Sequence, residues 1–156
     1  MALEHYTQQH HLRFRARRKL QAHLAAFSSH PVYFLKPTTY MNRSGQAVGA
    51  VCNYYDILPQ NCLVIHDDSA IAIGAVRVRY GGSSGGHNGV ASVSNHIGAD
   101  YWRVRIGIDT GQSTSTQFVL GTLSADEREH ITAAFEFVEE AIDTFINGSI
   151  QPTTYK

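Results

Sequence analysis

Residues 76–108, VRVRYGGSSGGHNGVASVSNHIGADYWRVRIGI, decide the fold class of the chain. Apolar and basic residues alternate in residues 76–80 and again in residues 102–108, which is the period of half-buried strands. Between these segments lie a glycine-rich loop and residues 90–97, which predict a short helix. A strand, a helix and a second strand in succession are typical of an α/β domain.

The sequence before this stretch continues the same alternation of element types. Residues 44–55 carry apolar side chains at helical spacing, and residues 62–65 form a short apolar run suited to a strand buried on both faces. Further upstream, residues 19–27 and 32–35 predict two extended segments joined by a proline-containing turn. Residues 2–12 resemble the end of a helix.

The sequence after residue 108 predicts one long helix. Ser124 and Glu127 have the S-x-x-E spacing of a capping box, and Gly148 marks the helix end. An apolar stripe at helical spacing predicts its buried face, which comprises Ile131, Phe135, Val138, Ile142 and Phe145. Residues 110–116, rich in Gly, Ser and Thr, are typical of a loop.

The composition limits the class of protein. With 156 residues, 43% of them apolar, we expect one compact domain over residues 1–156. No apolar run is long enough to cross a bilayer, and residues 1–12 are too polar for a secretory signal, so we expect a soluble, cytoplasmic protein. Cys52 and Cys62 lack a metal-ligand spacing, and reduced core residues are favoured over a disulfide.

Charge is segregated along a chain whose formal net charge is zero. Residues 13–19 contain five cations, and a second basic set follows at Arg77, Arg79, Arg103 and Arg105. Residues 124–147 contain seven acids and one arginine. One face could therefore attract phosphate. The alternative is that these charges are only solvated surface, which is the interpretation we prefer for the acids.

Three polar clusters are predicted to lie in loops that directly follow strands, namely residues 38–42, 66–68 and 81–89. Loops held by a rigid sheet are the usual place for a binding site. The third cluster has four glycines in six residues, which is usual where backbone must approach a ligand or a loop must move. A generic flexible loop is the alternative. It is not a P-loop, because no Gly-Lys-Ser/Thr follows.

Four short motifs, taken together, resemble those of the bacterial peptidyl-tRNA hydrolases. They occur in the order of that family and at compatible spacing, and they are specific as a set although each alone is weak. The motifs are KPTTYMNRSG at residues 36–45, LVIHDD at residues 63–68, GGHNG at residues 85–89 and RVRIGI at residues 103–108.

The resemblance implies a fold, a reaction and a partner. The implied fold is a mixed, mostly parallel sheet flanked by helices. The implied reaction is hydrolysis, without cofactor or metal, of the ester joining a peptide's C-terminal carbonyl to the 3′ ribose of tRNA, which recycles the tRNA. In the family a histidine is the general base on water, and an aspartate, here Asp67, orients it. The implied partner is peptidyl-tRNA, bound by a monomer through its acceptor stem and 3′ end.

The other predicted site residues bind the tRNA. An amide N–H can stabilise a developing oxyanion, a tyrosine ring offers a face on which a base or ribose can stack, and arginines can hold phosphate. These expected contacts are, in chain order, Tyr40, Met41, Asn42, Arg79, His87, Asn88 and Arg105.

The chain also departs from the family pattern. The family's first strand, which ends in G-L-G-N-P-G, and its T-R-H-N motif, whose histidine is the general base, do not occur in the sequence. The similarity begins in the helix that follows them, so we expect an N-terminally incomplete member without the first strand of the sheet. We do not expect His66 or His87 to replace the base. His66 should point away from Asp67, and His87 belongs to the loop motif.

Two interpretations follow from these departures. In the first, the chain is a peptidyl-tRNA hydrolase whose sequence starts too far downstream in the gene. In the second, it is a non-catalytic RNA-binding module that keeps the tRNA surface. We favour the first, because a sheet without one of its strands exposes unpaired edges that invite aggregation. The DNA directly upstream of the first codon distinguishes them, since codons for the two motifs are expected only in the first case.

Overall fold

The computed structural model describes residues 1–109 and 124–156. In chain order its elements are α1 (Ala2–Gln9), β1 (Arg15–Arg17), β2 (Ala22–Ala26), β3 (Tyr33–Pro37), α2 (Ser44–Tyr55), β4 (Leu63–Ala72), β5 (Val76–Tyr80), α3 (Asn88–Ile97), β6 (Trp102–Asp109), α4 (Ala125–Ile146) and β7 (Thr153–Tyr155). Short 3-10 turns cover Arg18–Leu20, Met41–Arg43 and Pro59–Asn61. Strands interleaved with helices confirm the predicted α/β class.

The described residues form two compact units. The first contains residues 3–63 and 80–102, and the second contains residues 64–79 and the described part of residues 103–156. The single domain over residues 1–156 and the absence of the family's first strand stay predictions.

The first unit is built on a three-stranded antiparallel sheet in the order β1-β2-β3. Strands β2 and β3 pair from Ala22 opposite Pro37 to Ala26 opposite Tyr33, which confirms two extended segments joined by a turn. The first segment was predicted to start too early, because residues 18–20 form a 3-10 turn and Gln21 is left-handed. Strand β1 was not predicted, because three residues, two of them arginines, carry no apolar alternation. One face of the sheet packs on α2 through a buried cluster of Ala22, Leu24, Ala47 and Val51.

Helix α2 begins and ends at the predicted residues. Its buried positions, which include Ala47 and Val51, follow the helical period, whereas Tyr54 is 69% exposed and lies on the solvent side. The helix ends because Asp56 adopts a left-handed conformation, with φ of 56°. Pro59 lies beyond this end, in a 3-10 turn.

Helices α2 and α3 approach each other very closely. The backbone N–H of Gly45 donates to Ser92 Oγ at 3.0 Å, and a Cβ on Gly45 would overlap the backbone carbonyl of Ser92. Four residues along, a Cβ on Gly49 would lie 3.4 Å from the Cβ of His96, which is ordinary contact. Backbone therefore meets backbone at the start of α2, and only glycine fits there.

The second unit contains a four-stranded sheet in the order β4-β6-β5-β7. A backbone hydrogen bond from Trp102 to Cys62 joins the N-terminal ends of β4 and β6, and one from Ile73 to Asp109 joins their C-terminal ends. The two strands therefore run parallel. Strands β5 and β7 pair antiparallel, and so do β5 and β6, whose ends are joined by the bond from Gly81 to Tyr101. The sheet is mixed, as predicted, but only one pairing between its described strands is parallel. The reason is the three-residue connection from β4 to β5, which is too short for a crossover.

Strand β4 corrects two predictions. It continues through His66, Asp67 and Asp68 to Ala72, so this polar cluster lies inside a strand and not in a loop after one. The strand is also half-exposed, not buried on both faces. Polar residues can stay in the strand because Asp68 is paired to Arg105 on the neighbouring strand β6. In β6 the predicted alternation fails at Arg103, which is only 4% exposed.

Helix α4 confirms the predicted capping box. The backbone N–H of Ser124 donates to Glu127 Oε2 at 2.7 Å, and that of Glu127 donates to Ser124 Oγ at 3.2 Å. The predicted stripe is buried except for Phe145, which is only partly covered, and Gly148 follows the helix with φ of 72°. The predicted loop at residues 110–116 lies outside the described residues. Among the described helices none is long and apolar enough to cross a membrane.

The two cysteines lie side by side in the first unit. Their Sγ atoms are 3.6 Å apart and are not covalently joined. Cys52 is buried, as expected of a core residue, and Cys62 is partly exposed. The hydrogen bond between the thiols raises the pKa of Cys62 and lowers that of Cys52.

We predict that Gly45→Ala lowers the free energy of unfolding by about 1–3 kcal/mol, the usual range for overpacking, because the added methyl group overlaps the Ser92 carbonyl. Gly49→Ala is the control on the same helix face, where the new methyl group fits against His96 and the helix propensity improves. Urea unfolding of both variants measures the difference. Equal stability of the two would contradict the close approach.

Candidate active site

The first unit brings two of the predicted polar clusters together. Tyr40 precedes the turn Met41–Arg43, which is held by Arg43 N–H donating to Tyr40 O at 2.9 Å and by Ser44 Oγ donating to Met41 O at 2.7 Å. The Met41 side chain lies against the start of α3, since a Cβ on Gly89 would come within 2.6 Å of Met41 Sδ. The loop with Asn42 and the loop ending at His87 are therefore neighbours.

Their polar and aromatic groups face solvent. Tyr40 is 80% exposed and Met41 is 59% exposed. Asn42 and Asn88 are exposed as well. Exposed amides and an exposed ring beside each other are suited to contact a large ligand that arrives from solution.

His87 is the N-cap of α3. Its Nδ1 accepts the backbone N–H of Gly89 at 3.1 Å and that of Val90 at 3.2 Å. Both donors need the lone pair on Nδ1, so the neutral ring carries its hydrogen on Nε2. This cap explains why α3 begins at Asn88, two residues before the predicted start. The ring therefore acts as a hydrogen-bond acceptor for the backbone and presents a donor at Nε2.

The glycine-rich loop owes its composition to backbone conformation. Gly81, Gly82, Gly85 and Gly86 have φ of 63°, 95°, 59° and 85°. These values lie in the region that side chains disfavour, while no atoms crowd the β-carbon positions of Gly82, Gly85 and Gly86. The path of the loop, and not tight packing, requires glycine at these places.

A cavity of about 580 Å³ adjoins Tyr40 in the same unit. Its lining offers one cation, one aromatic ring, two amides, three hydroxyls and no acid, from Gln21, Thr38, Thr39, Tyr40, Arg43 and Gln46. Thr39 Oγ1 is buried and has no hydrogen-bond partner among the described residues. This set of donors suits an anionic, hydroxyl-bearing ligand such as a nucleotide.

The second unit holds the two aspartates of β4. Successive residues of a strand point to opposite faces, so Asp67 faces away from His66 and Asp68. The His66 ring instead contacts the backbone, with Nδ1 lying 2.8 Å from Asp67 O. The Asp67 side chain is exposed. This orientation agrees with the expectation that His66 does not serve as a base beside Asp67.

Asp68 is fixed by three contacts that the sequence did not predict. Its Oδ2 accepts Arg105 Nε and lies 2.7 Å from Arg105 Nη2, and its Oδ1 accepts the backbone N–H of Ala70 at 2.9 Å. Partial burial raises the pKa of the carboxyl, but these hydrogen bonds and the guanidinium charge outweigh it, and the pKa lies below its ordinary value. The carboxylate is therefore charged at neutral pH.

The two predicted phosphate-binding arginines are engaged within the unit. Arg105 is paired with Asp68, and Arg79 donates to Val78 O, Thr153 O and Thr154 Oγ1. A guanidinium has five N–H donors, and these bonds do not use all of them. They use Nε and Nη2 of Arg105 and both Nη atoms of Arg79, whereas Nη1 of Arg105 and Nε of Arg79 take no part.

Sequence reasoning missed several residues near the first-unit cluster. Gln21, Arg43 and Gln46 line the cavity, and Ser92 positions α2. Arg43 lies within the motif at residues 36–45 but was not predicted as a site residue, and the other three lie outside the four motifs. Asp68 was detectable, because an acid and a basic residue on adjacent strands of the predicted sheet can pair. No group of three His, Cys, Asp or Glu side chains in the described part of the chain could hold a metal ion.

Comparison with known proteins identifies the family. A family model described as peptidyl-tRNA hydrolase matches residues 1–156. The chain belongs to the peptidyl-tRNA hydrolase family. The peptidyl-tRNA hydrolase of Campylobacter curvus is 43% identical over 139 residues, which are 88% of this chain and 74% of that protein. That of Lactobacillus delbrueckii is 40% identical over 152 residues, 95% of this chain and 82% of the relative.

A solved structure agrees with this assignment. The crystal structure of peptidyl-tRNA hydrolase from Acinetobacter baumannii matches with a TM-score of 0.86 and 30% identity. The match covers 94% of this chain and 77% of that one. The resemblance predicted from four motifs is thereby confirmed, together with the α/β fold it implied.

We predict that His87→Ala lowers the free energy of unfolding by about 1 kcal/mol, because α3 loses the side chain that caps two backbone N–H groups. His87→Asn should restore most of this loss, since asparagine is among the best N-cap residues. Thermal unfolding of both variants tests the cap. If His87→Asn melts as early as His87→Ala, the ring stabilises the unit in some other way.

Proposed function

We propose that this protein hydrolyses peptidyl-tRNA, cleaving the ester between the peptide's C-terminal carbonyl and the 3′ ribose, and that it acts as a monomer in the cytoplasm. The observation that supports this most directly is the contact between Met41 and Gly89, which makes neighbours of the two loops whose motifs match the family. The acceptor end of the tRNA is the part that these loops contact.

Asn42 and Asn88 are proposed to bind the reacting end of the substrate. Each exposed amide can donate one N–H to the ester carbonyl or to a ribose hydroxyl and accept from another hydroxyl. A donor aimed at the carbonyl oxygen stabilises the negative charge that develops there as water attacks. Tyr40, 80% exposed, supplies the face on which the terminal base stacks.

His87 is proposed to contact the substrate as a hydrogen-bond donor, not to act as a base. A general base needs a lone pair within hydrogen-bond distance of the proton that it removes. The Nδ1 lone pair of His87 is used by the N–H groups of Gly89 and Val90, and Nε2 carries the hydrogen. Protonating Nδ1 would break the cap of α3.

Asp67 is proposed to orient the general base. A carboxylate that accepts an imidazole N–H fixes the tautomer and stabilises the ring once it is protonated. The exposed position of Asp67, opposite to the anchored Asp68, suits this role. The partner imidazole in the family belongs to the T-R-H-N motif, which does not occur in the 156 residues.

Arg105 and Arg79 are proposed to contact tRNA phosphate through the N–H groups that their internal hydrogen bonds do not use, which are on Nη1 of Arg105 and Nε of Arg79. The pairing with Asp68 leaves the Arg105 side chain 31% exposed. The internal bonds hold each guanidinium in one place, so little side-chain entropy is lost when a phosphate binds.

The alternative function, a non-catalytic RNA-binding module, is not favoured. The family model spans the whole chain, and the similar proteins named above are all hydrolases. Binding and catalysis nevertheless depend on different residues, so they can be tested separately.

We predict that the 156-residue polypeptide by itself hydrolyses N-blocked aminoacyl-tRNA at the background rate, because general base catalysis is worth about 10²- to 10⁴-fold. A fusion that adds the G-L-G-N-P-G and T-R-H-N segment of a family relative should raise the rate by at least that factor. Release of the N-blocked amino acid measures both. Normal turnover by the 156 residues alone would show that another group in this chain acts as the base.

We predict that Asp67→Asn in the fusion lowers kcat by about 10²-fold or more while KM changes little, because the carboxylate matters mainly in the transition state. The alternative is that Asp67 only supports the strand, in which case stability falls and kcat per folded molecule is retained. Kinetics and thermal unfolding of the fusion and its variant separate these cases. A variant that melts earlier yet turns over normally would exclude the orienting role.

A further inference from the structure

One strongly charged surface of the first unit has no part in the site described above. It consists of five exposed cations within seven residues, here called the basic ribbon, namely Arg13, Arg15, Arg17, Arg18 and Lys19. The ribbon covers β1 and continues into the 3-10 turn Arg18–Leu20.

The ribbon lies on an edge strand. Within the described residues β1 pairs only with β2, where Arg15 stands opposite Leu24 and Arg17 opposite Ala22. Arg15 and Arg17 are two residues apart and point to the same face, with about 6–7 Å between them along the strand. Arg15 and Arg17 are thus held on one face of a paired strand, and Arg13, Arg18 and Lys19 lie on either side of them in the chain.

The cations of the ribbon are not neutralised internally. In the parts of the chain that the structure describes, no carboxylate forms an ion pair with any of them. Nearby Lys36, in contrast, is paired with Glu4 and lies over the ring of Phe14. Five like charges in seven residues repel one another, and a bound polyanion relieves this repulsion.

The ribbon ends at the cavity beside Tyr40. Gln21, the residue after the 3-10 turn, adopts a left-handed conformation with φ of 51°. Its carbonyl accepts the backbone N–H of Thr38 at 2.8 Å, which ties the end of the ribbon to the loop with Tyr40. Gln21 also lines the cavity together with Tyr40 and Arg43. Positive charge therefore leads along one surface to the residues proposed to bind the tRNA 3′ end.

We propose that the basic ribbon is a second RNA-binding surface, which contacts the sugar-phosphate backbone of tRNA away from its 3′ end. This inference rests on the proposed function for the identity of the RNA. Contacts of this kind carry no sequence information, but they fix the position of the nucleic acid and make its affinity depend on salt. The ribbon would hold the body of the tRNA while the 3′ end occupies the site.

The test compares two variants of the 156-residue chain that lose the same charge. Arg15→Gln/Arg17→Gln removes two cations of the ribbon, and Arg128→Gln/Lys156→Gln removes two exposed cations elsewhere. The Kd for deacylated tRNA is measured over a range of salt concentrations. The ribbon variant should bind at least about 5-fold more weakly near physiological salt, and its salt slope should fall by about one to two, since each phosphate contact contributes up to about 0.9. The matched control should keep both values.

A second ligand shows where on the RNA the ribbon acts. A single-stranded CCA trinucleotide reaches only the site, so its Kd should be the same for the ribbon variant and the unchanged chain. Arg15→Lys/Arg17→Lys should keep the affinity for tRNA near the original value. Deacylated tRNA has no ester, so the measurement is independent of hydrolysis, and a chain that proves non-catalytic can still show the ribbon effect.

Three outcomes would overturn the inference. Equal loss of affinity in the ribbon variant and the matched control would mean that only net charge matters. Weaker binding of the trinucleotide would place the ribbon at the 3′ end. Unchanged affinity with increased self-association, seen by sedimentation, would mean that the cations serve to protect the β1 edge from pairing with other chains. Thermal unfolding of each variant confirms that the comparison is made on folded protein.

Discussion

The close approach of α2 and α3 is the contact on which the candidate site depends. Gly45 N–H reaches Ser92 Oγ at 3.0 Å, and no side chain can stand between the two backbones at this point. Just before α2, Met41 of the preceding 3-10 turn packs on Gly89 in the first turn of α3. Asn42 is next to Met41 in the chain and His87 lies two residues before Gly89, so the positions of both loops follow from this packing. The glycines of the two motifs are therefore structural requirements for placing the polar residues beside them.

In the second unit an ion pair has the comparable role. Asp68 and Arg105 occupy adjacent strands, and their contact lets a strand with three consecutive polar residues stay in the sheet. Removing one partner would leave the other charge partly buried, which costs more than the net value of the pair. Because strand residues alternate, anchoring Asp68 on one face presents Asp67 on the other. Asp68, which is held by the ion pair, and Asp67, which is proposed to orient the base, are thus adjacent residues on opposite faces of the strand.

Local signals predicted well those elements whose ends are set by nearby residues. The bounds of α2, the capping box of Ser124 and the turn between β2 and β3 all depend on contacts within a few residues. Features that depend on distant partners were missed or misplaced. Strand β1 exists only because β2 pairs with it, β4 extends past His66 because β6 lies beside it, and the cavity needs Gln21 to meet Gln46. Between the described strands of the second sheet only one pairing is parallel, because the short connection between β4 and β5 makes these two strands run in opposite directions. The candidate site residues came from the family resemblance, and spacing alone would have given only the loops.

The chemistry of the first-unit cluster indicates a division of labour between binding and proton transfer. The site groups proposed in this unit are two exposed amides, an exposed aromatic ring and a partly exposed imidazole, from Asn42, Asn88, Tyr40 and His87. Such groups can stabilise negative charge on a carbonyl oxygen, and they need no proton exchange to do so. They also cannot activate water, because none of them combines an available lone pair with the basicity of an imidazole. Under the proposed mechanism, proton removal is therefore assigned to a residue other than these four.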